Sequence, residues 1–225
     1  MAKIRDSITW FKNEFADDIQ AGMVNLPFSV DLLAAIAIQE SGYIWGTLAA
    51  RGMPRDEVLT LCAGDTFDYP NRQAFPSTKA ELLEFPKGSQ MFVIAREALE
   101  AVGSQIIGYA SVASDPDKYC HGFGIFQYDL QHFKSGETQY FLEKEWYNFS
   151  SCLQQCLKEL NRALLHTYGP AKKVLTDQEM VYVAIAYNCG HAKTAKDFKQ
   201  GFHSGDGRYY GESICNYLQI AHEVC

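Results

Sequence analysis

Apolar residues recur at alternating steps of four and three near the start of the chain, at Ile4, Ile8, Phe11, Phe15 and Ile19. That spacing predicts an amphipathic helix over residues 4–20, with one face turned to a core. The next pattern differs. Residues 32–42 read Leu-Leu-Ala-Ala-Ile-Ala-Ile-Gln-Glu-Ser-Gly, an apolar run that ends in a carboxylate. At helical spacing Leu33, Ile36, Ala37 and Glu40 share one face. Ser29 or Asp31 is placed to cap the start, Pro27 closes the preceding loop, and Gly42 is expected to stop the helix. With so few polar residues the helix should be largely buried. A glutamate at the end of a buried helix is costly if ionised and unpaired. Desolvation would raise its pKa, as a carboxyl that donates a proton near neutral pH requires. The plainer alternative is a partly exposed Glu40, solvated by the following loop.

From Gly42 to Lys87 the pattern is irregular, with turn signals at Gly64-Asp65 and Tyr69-Pro70-Asn71. Short helices are expected at Arg55 to Cys62 and at Lys79 to Glu84. A helix from about Gln90 to Val102 should turn Phe92, Ala95, Leu99 and Val102 inward. A short extended run is expected at Gln105 to Tyr109, then a polar loop with Asp115-Pro116-Asp117. Gly122-Phe123-Gly124-Ile125-Phe126-Gln127-Tyr128-Asp129 follows; its two glycines suggest close backbone approach or unusual dihedrals. A single long helix is expected from about Thr138 to Tyr168, with a seam of Leu142, Trp146, Phe149, Leu153, Cys156, Leu160 and Leu164. Gly169-Pro170 should end it. Thr176 and Glu179 form a capping box for a helix in which Met180, Val183, Ala184 and Tyr187 share a face. A last helix, roughly Glu212 to Val224, should bury Ile214, Tyr217, Leu218 and Ala221. Strand-like alternation is scarce and no repeat or linker appears. The expectation is one mainly α domain over 1–225, with 43–121 an elaboration between two motif-bearing parts.

Composition narrows the classes. The 225 residues are 47% hydrophobic and 13% aromatic, with 14 Phe and 13 Tyr that suit a core or a sugar-stacking surface. A net charge of −7 argues against a nucleic-acid binder held by phosphate contacts. No window reaches the length of a membrane span. The N-terminal stretch is polar and lacks the apolar core of a signal peptide. A protein of this kind would be made in the cytoplasm, or would leave the cell by a route that needs no cleaved signal, such as a dedicated secretion machine, a phage particle or lysis. Cys62, Cys120, Cys152, Cys156, Cys189, Cys215 and Cys225 are odd in number and irregular in spacing. They support neither a zinc site nor a disulfide framework, and read as mostly reduced, structural thiols, buried as small hydrophobes. No histidine pairs with them at ligand spacing, and Asp206-Gly207 does not fit a calcium loop. No metal and no cofactor is expected.

Three separated stretches carry the candidate chemistry: Glu40-Ser41, then Gly122-Phe-Gly-Ile-Phe-Gln127-Tyr-Asp129, then Ala186-Tyr187-Asn188-Cys189-Gly190. In this order they resemble the lysozyme-like superfamily, specifically the soluble lytic transglycosylases and goose-type lysozymes. That family carries Glu-Ser, then Gly-Leu-Met-Gln, then Ala-Tyr-Asn-Ala-Gly. Here the middle stretch reads Gly-Ile-Phe-Gln, and the third departs at Cys189. Asp129, two residues past Gln127, also matches the goose-type pattern. The tail from Tyr209 to Leu218 is similar to the family's closing helix. The resemblance covers about half of the chain, and the gap from Glu40 to Gly122 is several times the family's usual one. Such a segment would lie over or beside a cleft.

The resemblance implies a lysozyme-like helical fold and cleavage of the β-1,4 bond between N-acetylmuramic acid and N-acetylglucosamine in peptidoglycan. Glu40 would be general acid and then base. The acceptor would be the substrate's own N-acetyl group or hydroxymethyl oxygen, a known exception to the two-carboxylate scheme, or water positioned by an aspartate. Asp129 is the first candidate for that aspartate and Asp117 the second, and the Gly-x-x-Gln-x-Asp pattern leans toward a hydrolytic, muramidase outcome. Gln127 would bind the sugar, Tyr187 would orient Glu40, Asn188 would fix the cleft wall, and Ser41 would contact substrate. Each has a plainer alternative. Asp129 could cap the next turn, and Asp115 and Asp117 could be solvated loop carboxylates. Tyr187 and Asn188 could be a core tyrosine and a helix C-cap. Gln127 could be a surface amide, and Ser41 a helix-end hydroxyl. Tyr209 and Tyr210 could stack on a sugar or pack a neighbouring helix. His121 and His132 flank the middle stretch, and neither is expected to act as a metal ligand or a base. The expected partners are glycan strands and an immunity or inhibitor protein, with the chain acting as a monomer. A chitinase or chitosanase of the same superfamily, or a non-catalytic wall-binding module, are the competing functions.

Overall fold

A computed structural model describes residues 2–64, 72–205 and 207–224. The turns expected at Gly64-Asp65 and Tyr69-Pro70-Asn71, the Asp206-Gly207 turn and the thiol of Cys225 fall wholly or partly outside these residues. Among the described residues 63% are helical and 4% are in strands, so the protein is mainly α. Packing divides the chain into two compact units. One comprises Met1–Gly42 and Leu153–Cys225, the other Tyr43–Cys152. No described helix is long and apolar enough to cross a membrane.

The first unit holds α1 (Ala2–Gly22), the first part of α2 (Val30–Ala49), most of α9 (Phe149–Tyr168), α10 (Asp177–Cys189) and α11 (Tyr210–His222). The expected stripe on α1 holds for Ile8, Phe11, Phe15 and Ile19, all fully buried, while Ile4 near the helix start is only half-buried. The α2 run from Leu32 to Ala37 is buried at every position, as its composition requires. Ser29 caps it, its hydroxyl accepting from Leu32 N at 3.1 Å, which satisfies an amide that the helix itself leaves open. Gly42, however, does not end α2, which runs seven residues further, to Ala49. A lone helical glycine costs only about 1 kcal/mol, and the buried Ile44, Trp45 and Leu48 beyond it offset more than that. Glu40 therefore lies in the helix interior rather than at its end. In α10 the capping box of Thr176 and Glu179 forms as expected. Met180 to Ala186 are buried on all sides, and Gly190 closes the helix with φ 82°. In α11 Ile214, Leu218 and Ala221 are buried, while Tyr217 is only half-buried.

The second unit begins with α3 (Arg55–Thr60), followed by β1 (Ala63–Gly64), α4 (Lys79–Glu84), α5 (Gly88–Gln105) and α6 (Ile107–Ala113). It continues with β2 (Gly122–Phe123), β3 (Tyr128–Asp129), α7 (Gln131–Lys134), α8 (Thr138–Leu142) and a 3-10 turn at Glu145–Tyr147. The short helices α3 and α4 lie where expected. Helix α5 buries Ala95, Leu99 and Val102, but Phe92 is half-buried and Met91, Ile94 and Ala98 complete the face. The extended run expected at Gln105 to Tyr109 is instead the start of α6, entered through an extended Ile106. Arg96 on α5 accounts for this local fold. Its guanidinium donates to the carbonyls of Ala113, Asp115 and Lys118 at 2.6–2.9 Å and so gathers the end of α6 and the following loop.

The single helix expected over 138–168 is broken. Lys144 takes a left-handed conformation, φ 55°, and Asn148 an extended one. Asn148 then caps α9, its side chain accepting from Ser151 N. The break turns Phe141 and Trp146 together onto Phe123, with ring centroids 5.4 and 4.8 Å away. Leu142, expected in the seam, is only half-buried. Burying large rings outweighs the loss of a few helical hydrogen bonds. No disulfide links the six described cysteines, and Cys62, Cys120, Cys152 and Cys156 are buried. Burial holds the Cys62 and Cys152 thiols above 9.0, consistent with inert packing residues.

Candidate active site

In the first unit the Glu40 carboxylate receives the hydroxyl of Tyr210, Oη to Oε1, at 2.7 Å. Tyr210 is the first residue of α11 and is 3% exposed. Its placement rests on Gly211, where an added Cβ would sit 2.5 Å from the Phe198 carbonyl and 2.6 Å from Ile185. The missing side chain lets the start of α11 close against α10. Tyr187, near the end of α10, joins the group. Its phenol is held well above 10.0 first by burial, then by Cys156, then by the charge of Glu40. The Tyr210 phenol is likewise pushed up by burial and then by the Glu40 charge. Both tyrosines are therefore neutral at ordinary pH, and a neutral phenol can donate to a carboxylate.

Ser41 is 4% exposed beside Glu40. Asn188 serves the backbone: its Oδ1 accepts from Phe202 N at 2.9 Å and pins the chain that leads to Tyr210. Tyr210 N donates in turn to Phe202 O at 2.8 Å. A carboxylate oriented by a buried donor, on a rigid helix, is suited to general acid and base chemistry. Sequence reasoning placed Glu40 and Tyr187 together but missed Tyr210 as the donor. The available signal was its position at the head of an apolar last helix, 170 residues from Glu40, and no local spacing links the two.

The remaining candidates lie in the second unit. The stretch from Gly122 to Asp129 is a hairpin, β2 pairing antiparallel with β3, and β1 pairing with β2 on its other side. Gly124 has φ 78° and Gln127 φ 51° at the turn, closed by Gln127 N on Gly124 O at 3.0 Å. The Gln127 side chain folds back, its Nε2 donating to the same carbonyl at 2.7 Å. A Cβ on Gly122 would stand 2.6 Å from Gln127 Oε1 and one on Gly64 3.1 Å away. Gly122 and Gly64 thus make room for the Gln127 amide, while Gly124 takes the unusual dihedral, the other of the two alternatives for the glycines of this stretch.

Asp129 is engaged. Arg72 Nη2 donates to both its oxygens at 2.7 and 2.9 Å, and its Oδ1 also accepts from Gln131 N, capping the next turn. Arg72 had no sequence signal as its partner. Asp117 has a 76% exposed side chain and pairs with Lys79 at 2.7 Å. The hydrogen bond and charge of that lysine lower its pKa. Among the described residues no group of three or more His, Cys, Asp or Glu could hold a metal ion.

Comparison with protein-family models, with curated proteins and with solved structures finds no match to this chain.

Proposed function

We propose that this protein is a peptidoglycan-cleaving glycosidase with a lysozyme-like fold. It acts on the β-1,4 bond between N-acetylmuramic acid and N-acetylglucosamine, with Glu40 as the proton donor and then the base. The observation that carries the reading is the meeting of Glu40, Tyr187 and Tyr210. The Glu-Ser stretch, the Ala-Tyr-Asn stretch and the tail similar to the family's closing helix each contribute one of these residues. A pure binding module has no need of a carboxylate held by a buried phenol. The pairing of both Asp129 oxygens with Arg72 and the exposure of Asp117 favour attack by the substrate's own oxygen over water delivered by an aspartate. The expected product is then an anhydro-muramyl end.

Digestion of purified sacculi followed by mass spectrometry tests this. Released muropeptides lighter by one water than reducing-end products are the expected result, and Glu40→Gln should release none while remaining folded. Undiminished release by that variant would overturn the assignment. Cleavage of chitin oligomers in preference to sacculi would move the substrate within the superfamily. Sedimentation with sacculi without any release would make the protein a wall-binding module.

A further inference from the structure

The connection between α10 and α11, residues 191–209, carries four cations, Lys193, Lys196, Lys199 and Arg208, against two acids, in a chain whose net charge is −7. It is not a slack loop. Gln200 clamps it, accepting from Lys193 N at 2.8 Å and donating to the carbonyls of Lys193 and Asp197 at 3.1 and 2.7 Å. The Phe198 ring packs on Tyr182 at 5.3 Å, and the Tyr182 hydroxyl donates to the Lys196 carbonyl. His203 and Tyr209 form a β-bridge. The Asp197 carboxylate is turned onto Lys199 N at 3.2 Å. Lys193, Lys196 and Lys199 are exposed, and no ion pair with a described residue engages them.

This ordered cationic segment is fastened to the candidate site. Phe202 gives its N–H to Asn188 and takes that of Tyr210, and Tyr210 holds Glu40. The residues that flank it, Asn188 and Tyr210, are therefore both bonded to it, and Tyr210 is the one that holds Glu40. A protein of net negative charge is repelled by an anionic polymer, and only a local positive surface can reverse the sign within a Debye length, about 10 Å at 0.1 M salt.

We propose that Lys193, Lys196 and Lys199, exposed on this one ordered segment, bind the free carboxylates of the stem peptides on the glycan strand, so that the enzyme selects strands bearing uncapped peptides. The proposal rests on the glycosidase reading for the identity of the polymer. Its test is sedimentation with sacculi, run on Glu40→Gln so that no turnover intrudes. Replacing all three lysines by Gln should weaken binding about tenfold at low salt. The deficit should vanish at high salt and on sacculi whose carboxylates have been amidated. Sedimentation of the parent Glu40→Gln protein should itself fall with salt and with amidation. Binding that ignores both treatments, or a lysine variant that loses equally on amidated sacculi, would overturn the proposal. Muropeptide release by the unmutated protein reads the glycosidase assignment separately, so the two can fail independently.

Discussion

The Tyr210 hydroxyl lies 2.7 Å from Oε1 of Glu40 and donates to it. One residue belongs to the interior of α2, the other to the first turn of α11. The contact both orients the carboxylate and ties two helices of the first unit together. Hydrogen bonds to charged groups contribute about 1.5–3 kcal/mol. Tyr210→Phe keeps the ring and removes only the donor. Urea unfolding should therefore show a loss in that range, and muropeptide release should fall about tenfold, less than for Glu40→Gln. Unchanged release with unchanged stability would contradict the role given to this contact.

Alkaline pH should weaken the first unit. Tyr187 and Tyr210 are both raised above 10.0, first by burial. A raised folded value means the native state keeps these protons after the unfolded chain has released its own. The stabilisation is fully present below about 10 and is lost as pH rises through the folded values. The slope is up to about 1.4 kcal/mol per pH unit for a phenol such as Tyr210. Unfolding free energies measured from pH 8 to 11 should stay level and then fall. The fall should be shallower in Tyr187→Phe combined with Tyr210→Phe.

Gly124→Ala should destabilise the second unit by more than about 2 kcal/mol. The residue has φ 78°, and a Cβ there would come within 2.6 Å of Cys152 Sγ and 2.9 Å of Tyr140 Oη. Backbone strain and overpacking therefore act together. Thermal melts of the variant against the parent check this, and an unshifted melt would show that the hairpin turn is more yielding than its packing suggests.

Asp129 and Asp117 should behave differently from each other. The side chains of Arg72 and Asp129 are 15% and 25% exposed, so Asp129→Asn removes a partly desolvated pair. A double-mutant cycle with Arg72→Gln should give a coupling of about 1–3 kcal/mol. Asp117→Asn, on the surface, should leave both stability and muropeptide release within error of the parent. Full loss of release in Asp117→Asn with an intact fold would return that residue to the catalytic set.

Much of the helical plan could be read along the chain. The stripe on α1, the apolar run of α2 and the Thr176–Glu179 box are local matters of periodicity and capping. They appear as expected because nothing distant opposes them. Where the expectation fails, a distant demand wins. Gly42 reads as a stop in isolation, yet Ile44, Trp45 and Leu48 have a core to enter, so the helix continues. The sequence from Thr138 to Tyr168 reads as one helix, yet the rings of Phe141 and Trp146 are needed around Phe123, so it breaks before Asn148.

The candidate site divides in the same way. By itself the sequence determined a carboxylate on a buried helix, a tyrosine at the end of an apolar one, and glycines where the backbone comes close to a neighbour or takes an unusual dihedral. These follow from residue type and spacing within one segment. Only the tertiary structure decided that Tyr210 is the hydroxyl on Glu40, that Asn188 serves the backbone of Phe202, and that Arg72 claims Asp129. These pairings join residues 14, 57 and 170 positions apart, and a hydrogen bond is selected by where folded elements meet, which no local pattern encodes.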